Sequence, residues 1–255
     1  MRSVMRAFVA IDIFSGIRQM TRKALRPLQR AFPDVKWVDD ANFHITLKFL
    51  GTNVPTSDIR DIVNALERAC KDVEPFDLTL EGCGAFPDMS NPRTLWIGIT
   101  DGTAEVSALA EKIEDELEKI GYPREGRKFS PHLTIGRARK RDRNVGSINH
   151  EEVATLAEKL GKLDQVYFGT NSVESITLYC SELDRRGPKY EPLATIDFGG
   201  EDVLDVLKTP AKPELEPLPP PKKVKLDLDA LDSDLDDELR SICGDAFVNK
   251  SKPKK

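Results

Sequence analysis

Only three histidines occur in the 255 residues, and two of them share one pattern: "FHITLKFLG" (Phe43 to Gly51) and "PHLTIGR" (Pro131 to Arg137) each read histidine, apolar, threonine, apolar. Side chains on a strand alternate between faces. His44, Thr46 and Lys48 therefore point one way, against Phe43, Ile45, Leu47 and Phe49. By the same parity His132 and Thr134 oppose Pro131, Leu133 and Ile135. A lone histidine on a strand is most often structural, but a repeated imidazole and hydroxyl fit a reaction that needs one general base and one general acid near neutral pH. Transfer at phosphorus is such a reaction, because attacking and leaving oxygens lie in line and each can exchange a proton with its own histidine. Each threonine hydroxyl can donate to a non-bridging oxygen as charge builds there. This chemistry calls for neither a metal nor another cofactor, and the sequence carries no HExxH, no carboxylate cluster and no Cys/His ligand spacing. A phosphate-binding G-x-x-x-x-G-K-[ST] loop and a G-x-S-x-G elbow are also absent.

The elements that must hold these motifs follow from periodicity. "RAFVAIDI" reads as a strand, Ile17 to Phe32 as a helix and "FHITLKFL" as a strand. In Ser57 to Lys71, residues Ile59, Ile62, Val63, Leu66 and Ala69 form one helical face. "FDLTLEGCGAF" and "TLWIGIT" read as strands before a helix, "AEVSALAEKIEDELEKIG", that Gly121 ends. After the second motif come a short helix, "EEVATLAEKLG", and two closing strands, "VESITLYCSEL" and "YEPLATIDF". Each histidine strand thus has a similar neighbourhood, which predicts two related α+β lobes with antiparallel pairing. The third histidine, His150, falls at a helix start, where a solvated role is expected.

The composition predicts a folded domain over 1–199, a Pro/Lys-rich linker over 200–225 and an acidic tail over 226–255. In the tail, Leu228, Leu231, Leu235, Leu239 and Ile242 recur at helical spacing. A short amphipathic helix over 226–243 is expected there, with a protein partner as its docking target. A net charge of -5 does not mark a strong nucleic-acid binder. The local balance differs: Arg124, Arg127, Lys128, Arg137, Arg139, Lys140, Arg141 and Arg143 face only Glu125 and Asp142. Within that stretch Arg139, Lys140 and Arg141 are either nucleic-acid contacts or a solvated loop. The apolar run "AFVAI" is too short for a signal segment or a membrane span, and Cys70, Cys83, Cys180 and Cys243 show no C-x-x-C pair, so a cytoplasmic protein without membrane association is expected.

"RAFVAIDI", "WVDDANFHITLKFLG", "PRTLWIGI" and "FSPHLTIGRARK", in this order, resemble the two-histidine (2H) phosphoesterases, and more narrowly the RNA 2',3'-cyclic phosphodiesterases historically described as 2'-5' RNA ligases. The resemblance spans about residues 5 to 199. It implies a bilobal α+β fold, with two antiparallel sheets flanking a central groove and helices outside. It also implies metal-independent hydrolysis of RNA 2',3'-cyclic phosphate ends to a 2'-phosphate, with such RNA as the partner. Position by position, His44 and Thr46 match the first motif and His132 and Thr134 the second, with His44 as the acid and His132 as the base. Lys48 and Arg137 match phosphate-binding positions. Parity places Lys48 on the active face, and places Arg137 there only if Gly136 introduces a bulge. An RNA-end binding or 2'-5' ligation module is the other class that these residues fit.

Overall fold

The computed structural model describes residues 3–138, 150–184 and 187–199. The linker over 200–225, the tail over 226–255 with its expected helix, and Arg139, Lys140 and Arg141 lie outside the described residues.

In chain order the elements are β1 (Val4–Asp12), α1 (Ser15–Ala31), β2 (Lys36–Trp37), a 3-10 turn (Asp40–Asn42), β3 (His44–Pro55), a second 3-10 turn (Thr56–Asp58), α2 (Ile59–Cys70), β4 (Phe76–Phe86), β5 (Thr94–Ile99), α3 (Thr103–Glu118), β6 (Leu133–Arg137), α4 (His150–Gly161), β7 (Tyr167–Val173), β8 (Ser175–Asp184) and β9 (Gly187–Asp197). The helices follow the apolar periodicity: α1 buries Ile17, Ala24, Leu25 and Leu28, α2 buries Ile62, Ala65, Leu66 and Ala69, and α3 buries Val106, Leu109, Ile113 and Leu117. None of the described helices is long and apolar enough to cross a membrane.

The strands form a sheet in the order β7-β4-β5-β6-β3-β1-β8-β9, with β2 beside β6 and every pair antiparallel. It divides into two four-stranded halves of matching layout, β6-β5-β4-β7 and β3-β1-β8-β9. They join where β3 meets β6, through the single register pair Ile45 and Leu133. The expected two sheets are thus the halves of one curled sheet. Both seam residues are fully buried, so the opposite face at the seam is the one left open.

One strand has no alternating signal in the sequence. β7, "YFGTNSV", looks like turn material because Gly, Thr, Asn and Ser dominate it, yet it pairs with β4 along its length. Tertiary contacts supply what propensity lacks. Gly169, at φ 138°, lets Ile17 of α1 approach to where a side chain would stand. Asn171, fully buried, accepts from the Phe14 amide at 2.9 Å and donates to the Asp12 carbonyl at 3.1 Å. Its amide group thereby ties the end of β1, in one half, to the edge strand of the other.

Candidate active site

The register at the seam decides where the motifs stand. Ile45 pairs with Leu133 in antiparallel sense. Read outward from that pair, His44 stands opposite Thr134 and Thr46 opposite His132, all on the face away from the buried seam residues. The two motifs therefore interlock as a square of alternating imidazole and hydroxyl.

Both rings are held in the same way. His44 Nδ1 lies 2.8 Å from the Asn42 carbonyl, and His132 Nδ1 lies 2.8 Å from the Ser130 carbonyl, two residues upstream in each case. A carbonyl only accepts, so Nδ1 carries the proton and the neutral ring offers Nε2 as a base. At His44 the Thr46 hydroxyl, 3.0 Å away, donates to that Nε2. Aromatic walls fix the ring planes. Phe8 and Tyr190 flank His44 with centroids at 4.9 and 5.2 Å, Tyr190 edge-on, and Phe86 meets His132 edge-on at 4.9 Å.

Electrostatics lower the proton affinity of both histidines. At His44 burial acts most strongly; the Asn42 carbonyl and Asp12 oppose it, while Arg137 and His132 add to it. At His132 burial again leads, the Ser130 carbonyl opposes it, and Arg137 adds to it. The two sites differ in one charge. Asp12 stands in register opposite His44, its carboxylate accepting from Tyr179 at 2.6 Å and Thr177 at 2.9 Å. No carboxylate among the described residues raises His132 in this way.

The faces expected from parity have opposite outcomes at two residues. Arg137 does reach the face of the histidines. β6 carries a bulge, since Trp96 pairs with Thr134 while Leu95 pairs with Gly136, and Ile135 is the extra residue. Its guanidinium acts on His44, His132 and Tyr190 together. Lys48 does not share the active face, and this corrects the reading from parity. β3 is bulged against β1, where Val9 pairs with Lys48 but Ala10 pairs with Thr46, so Leu47 is passed over and Lys48 and Phe49 change face. Lys48 is buried, donating to Glu114 of α3 at 2.5 Å and to the Pro123 carbonyl at 2.6 Å. Phe49, expected in the core, turns outward beneath Arg6, whose guanidinium sits 4.3 Å from the ring centroid. Lys48 is thus a clasp that fastens the segment leading to His132 onto the strand that follows His44.

Asp12, Asn42, Ser130, Tyr179 and Tyr190 escaped the sequence reading. "RAFVAIDI" contained Asp12 at a strand end, a usable signal; the tyrosines come from the closing strands and carried none. Cys70 and Cys83 are buried, and burial pushes the Cys70 thiol up to about 12 and that of Cys83 higher than its ordinary value.

Residues 17–183 match the model of the 2'-5' RNA ligase superfamily. The chain is 34% identical over 185 residues to the RNA 2',3'-cyclic phosphodiesterase of Methanothermobacter thermautotrophicus, covering 72% of this chain and 94% of that one. It is 33% identical over 198 residues to the enzyme of the same name from Aquifex aeolicus, covering 77% and 99%. Among solved structures it resembles TT0787 of Thermus thermophilus, with 26% identity and a TM-score of 0.59 over 78% of this chain and 100% of that one. Escherichia coli LigT complexed with 3'-AMP shares the fold at a TM-score of 0.58 and 23% identity, over 77% and 99%.

The Lys48 clasp has a measurable signature. Lys48→Met leaves the Glu114 carboxylate without its cation and is expected to cost about 3–5 kcal/mol of stability. Adding Glu114→Gln should recover part of the loss in thermal unfolding. A Lys48→Met protein that keeps its melting temperature but loses turnover would instead make Lys48 a substrate contact.

Proposed function

Because the chain belongs to the 2'-5' RNA ligase superfamily, we propose that it hydrolyses RNA ends bearing a 2',3'-cyclic phosphate to a 2'-phosphate, using His132 as base and His44 as acid. The observation that carries this reading is the matched pair of imidazoles, each with Nδ1 committed to a carbonyl and so with Nε2 left for proton transfer. The curated relatives named for this activity support it. A module that only bound RNA ends would have no use for two proton-transfer groups.

The step balances without further reagents. His132 Nε2 takes a proton from water as its oxygen attacks phosphorus. The bond from phosphorus to O3' breaks, O3' takes a proton from His44 Nε2, and the bond to O2' remains. A protonated His44 donates to Thr46 Oγ1 or to the leaving oxygen, which frees the Thr46 hydroxyl to donate to a non-bridging oxygen. Thr134 and Arg137 serve the same charge. Asp12 supports the assignment: a carboxylate facing His44 favours its charged form and partly offsets burial there, a help that His132 lacks among the described residues. RNA as substrate, with Arg139, Lys140 and Arg141 contributing contacts, belongs to the same reading.

Phosphorus NMR of the product from a short RNA with a cyclic end should show a 2'-phosphate, formed equally well in EDTA. A 3'-phosphate, or activity that chelation abolishes and a divalent ion restores, would overturn the mechanism.

His44→Ala and His132→Ala are each expected to lower turnover by about 100-fold or more. Thr46→Ala and Thr134→Ala should cost about 10-fold to 1000-fold, as for one lost oxyanion donor. Near-normal turnover in a folded histidine variant would refute the paired mechanism.

The pH profile tests the assignment itself. kcat/KM rises as the base loses its proton and falls as the acid does, so two lowered imidazoles place the optimum on the acid side of about 6.5. Asp12→Asn removes a charge that raises His44, and the alkaline limb should move to lower pH. A shift confined to the acid limb would exchange the two roles.

A further inference from the structure

α1 is strongly basic in an acidic chain. Its sequence, "SGIRQMTRKALRPLQRA", holds Arg18, Arg22, Arg26 and Arg30 at intervals of four, adds Lys23, and contains no acidic residue. Ile17, Thr21, Ala24, Leu25 and Leu28 form the buried face, and Arg22, Lys23, Arg26 and Arg30 are exposed. Like charges four apart on a helix repel, each pair destabilising it by a few tenths of a kcal/mol. Acidic partners within the helix would normally relieve that cost, and α1 has none. Arg22 pairs with Asp40 at 3.4 Å across the surface, a contact weak enough to exchange for another anion.

The row of arginines begins at the active site. Arg18 donates from Nε to the Ile13 carbonyl at 2.6 Å and from Nη1 to the Ala41 carbonyl at 3.4 Å. Ala41 adjoins Asn42, whose carbonyl holds His44. From there the arginines follow the helix about 6 Å at a time, about 18 Å in all, at the helical rise. Such a row matches a flexible polyanion with regularly spaced charges.

We propose that the exposed face of α1 binds the phosphodiester backbone of the nucleotides 5' to the cyclic end, leading the strand from the groove past Arg18 and along Arg22, Lys23, Arg26 and Arg30. This rests on the reading of the groove as a site for RNA ends. It assigns α1 to the body of the substrate, whereas the histidine square acts only on its last phosphate. Contacts to phosphate oxygens carry no sequence information, so the face serves length rather than sequence.

The test compares the full-length protein with its Arg22→Gln/Lys23→Gln/Arg26→Gln variant on adenosine 2',3'-cyclic phosphate and on a hexanucleotide ending in the same group. The variant should raise KM for the hexanucleotide about 10-fold at low salt and leave the mononucleotide within two-fold. Binding is read separately, by fluorescence anisotropy of a labelled hexanucleotide ending in a 2'-phosphate. The slope of log affinity against log salt should fall by about 2, given about 0.7 per phosphate on a single strand. An Arg22→Lys/Arg26→Lys variant should keep most of the affinity. Unchanged hexanucleotide binding would overturn the proposal, as would an equal loss on both substrates. If the wild-type protein turned over neither substrate, the proposed function would fail while the anisotropy series still decided the role of α1.

Discussion

The whole site depends on one backbone contact. Ile45 and Leu133 are the only register pair between the halves of the sheet among the described residues, and each directly follows a histidine. A slip of one residue there would turn the imidazole of the slipped strand into the core and break up the pairing of the two motifs, because side chains alternate with a period of two. Burial of the seam pair prevents the slip: neither position tolerates a polar side chain, so the two rings cannot exchange faces with their neighbours. What looks like two independent motifs is a single structural unit, specified by the apolar residues between histidine and threonine as much as by the polar ones.

In the proposed reaction the two rings trade protons near neutral pH, and burial in the groove lowers the proton affinity of both. Burial opposes the imidazolium form at both, and Arg137 adds to that effect from the bulged end of β6. A pair of identical rings in identical surroundings would have no reason to divide their labour. Asp12, set by Tyr179 and Thr177, breaks the equivalence. The near-symmetry of the halves thus places the groups, and a local departure from it differentiates them.

Much of this was legible in the sequence. The two motifs, the helices and most strands could be read, because strand parity and helical periodicity are local properties. Legibility ended at irregularities. Lys48 was misplaced because a bulge at Leu47 leaves no trace in an apolar run, whereas Gly136 advertised the bulge that brings Arg137 round. β7 was invisible because its stability comes from the Asn171 bonds and the approach of Ile17, contacts about 150 residues distant in sequence. Tyr179 and Tyr190 belong to the same class, since nothing near them in sequence shows that β8 returns to β1.

That return has a consequence for how the protein is made. The half that carries His44 is completed by β8 and β9, the last strands of the described domain, while the half that carries His132 is assembled from the middle of the chain. A growing chain therefore finishes its central half before its outer one. The first histidine leaves the ribosome early but gains its tyrosine wall, and the hydroxyls that hold Asp12, only when residues near 190 emerge. The outer half is not a contiguous stretch, since β1 and β3 come from the start of the chain and β8 and β9 from the end of the described residues, so no single cut separates the two halves: the surroundings of His44 are complete only with the final strands.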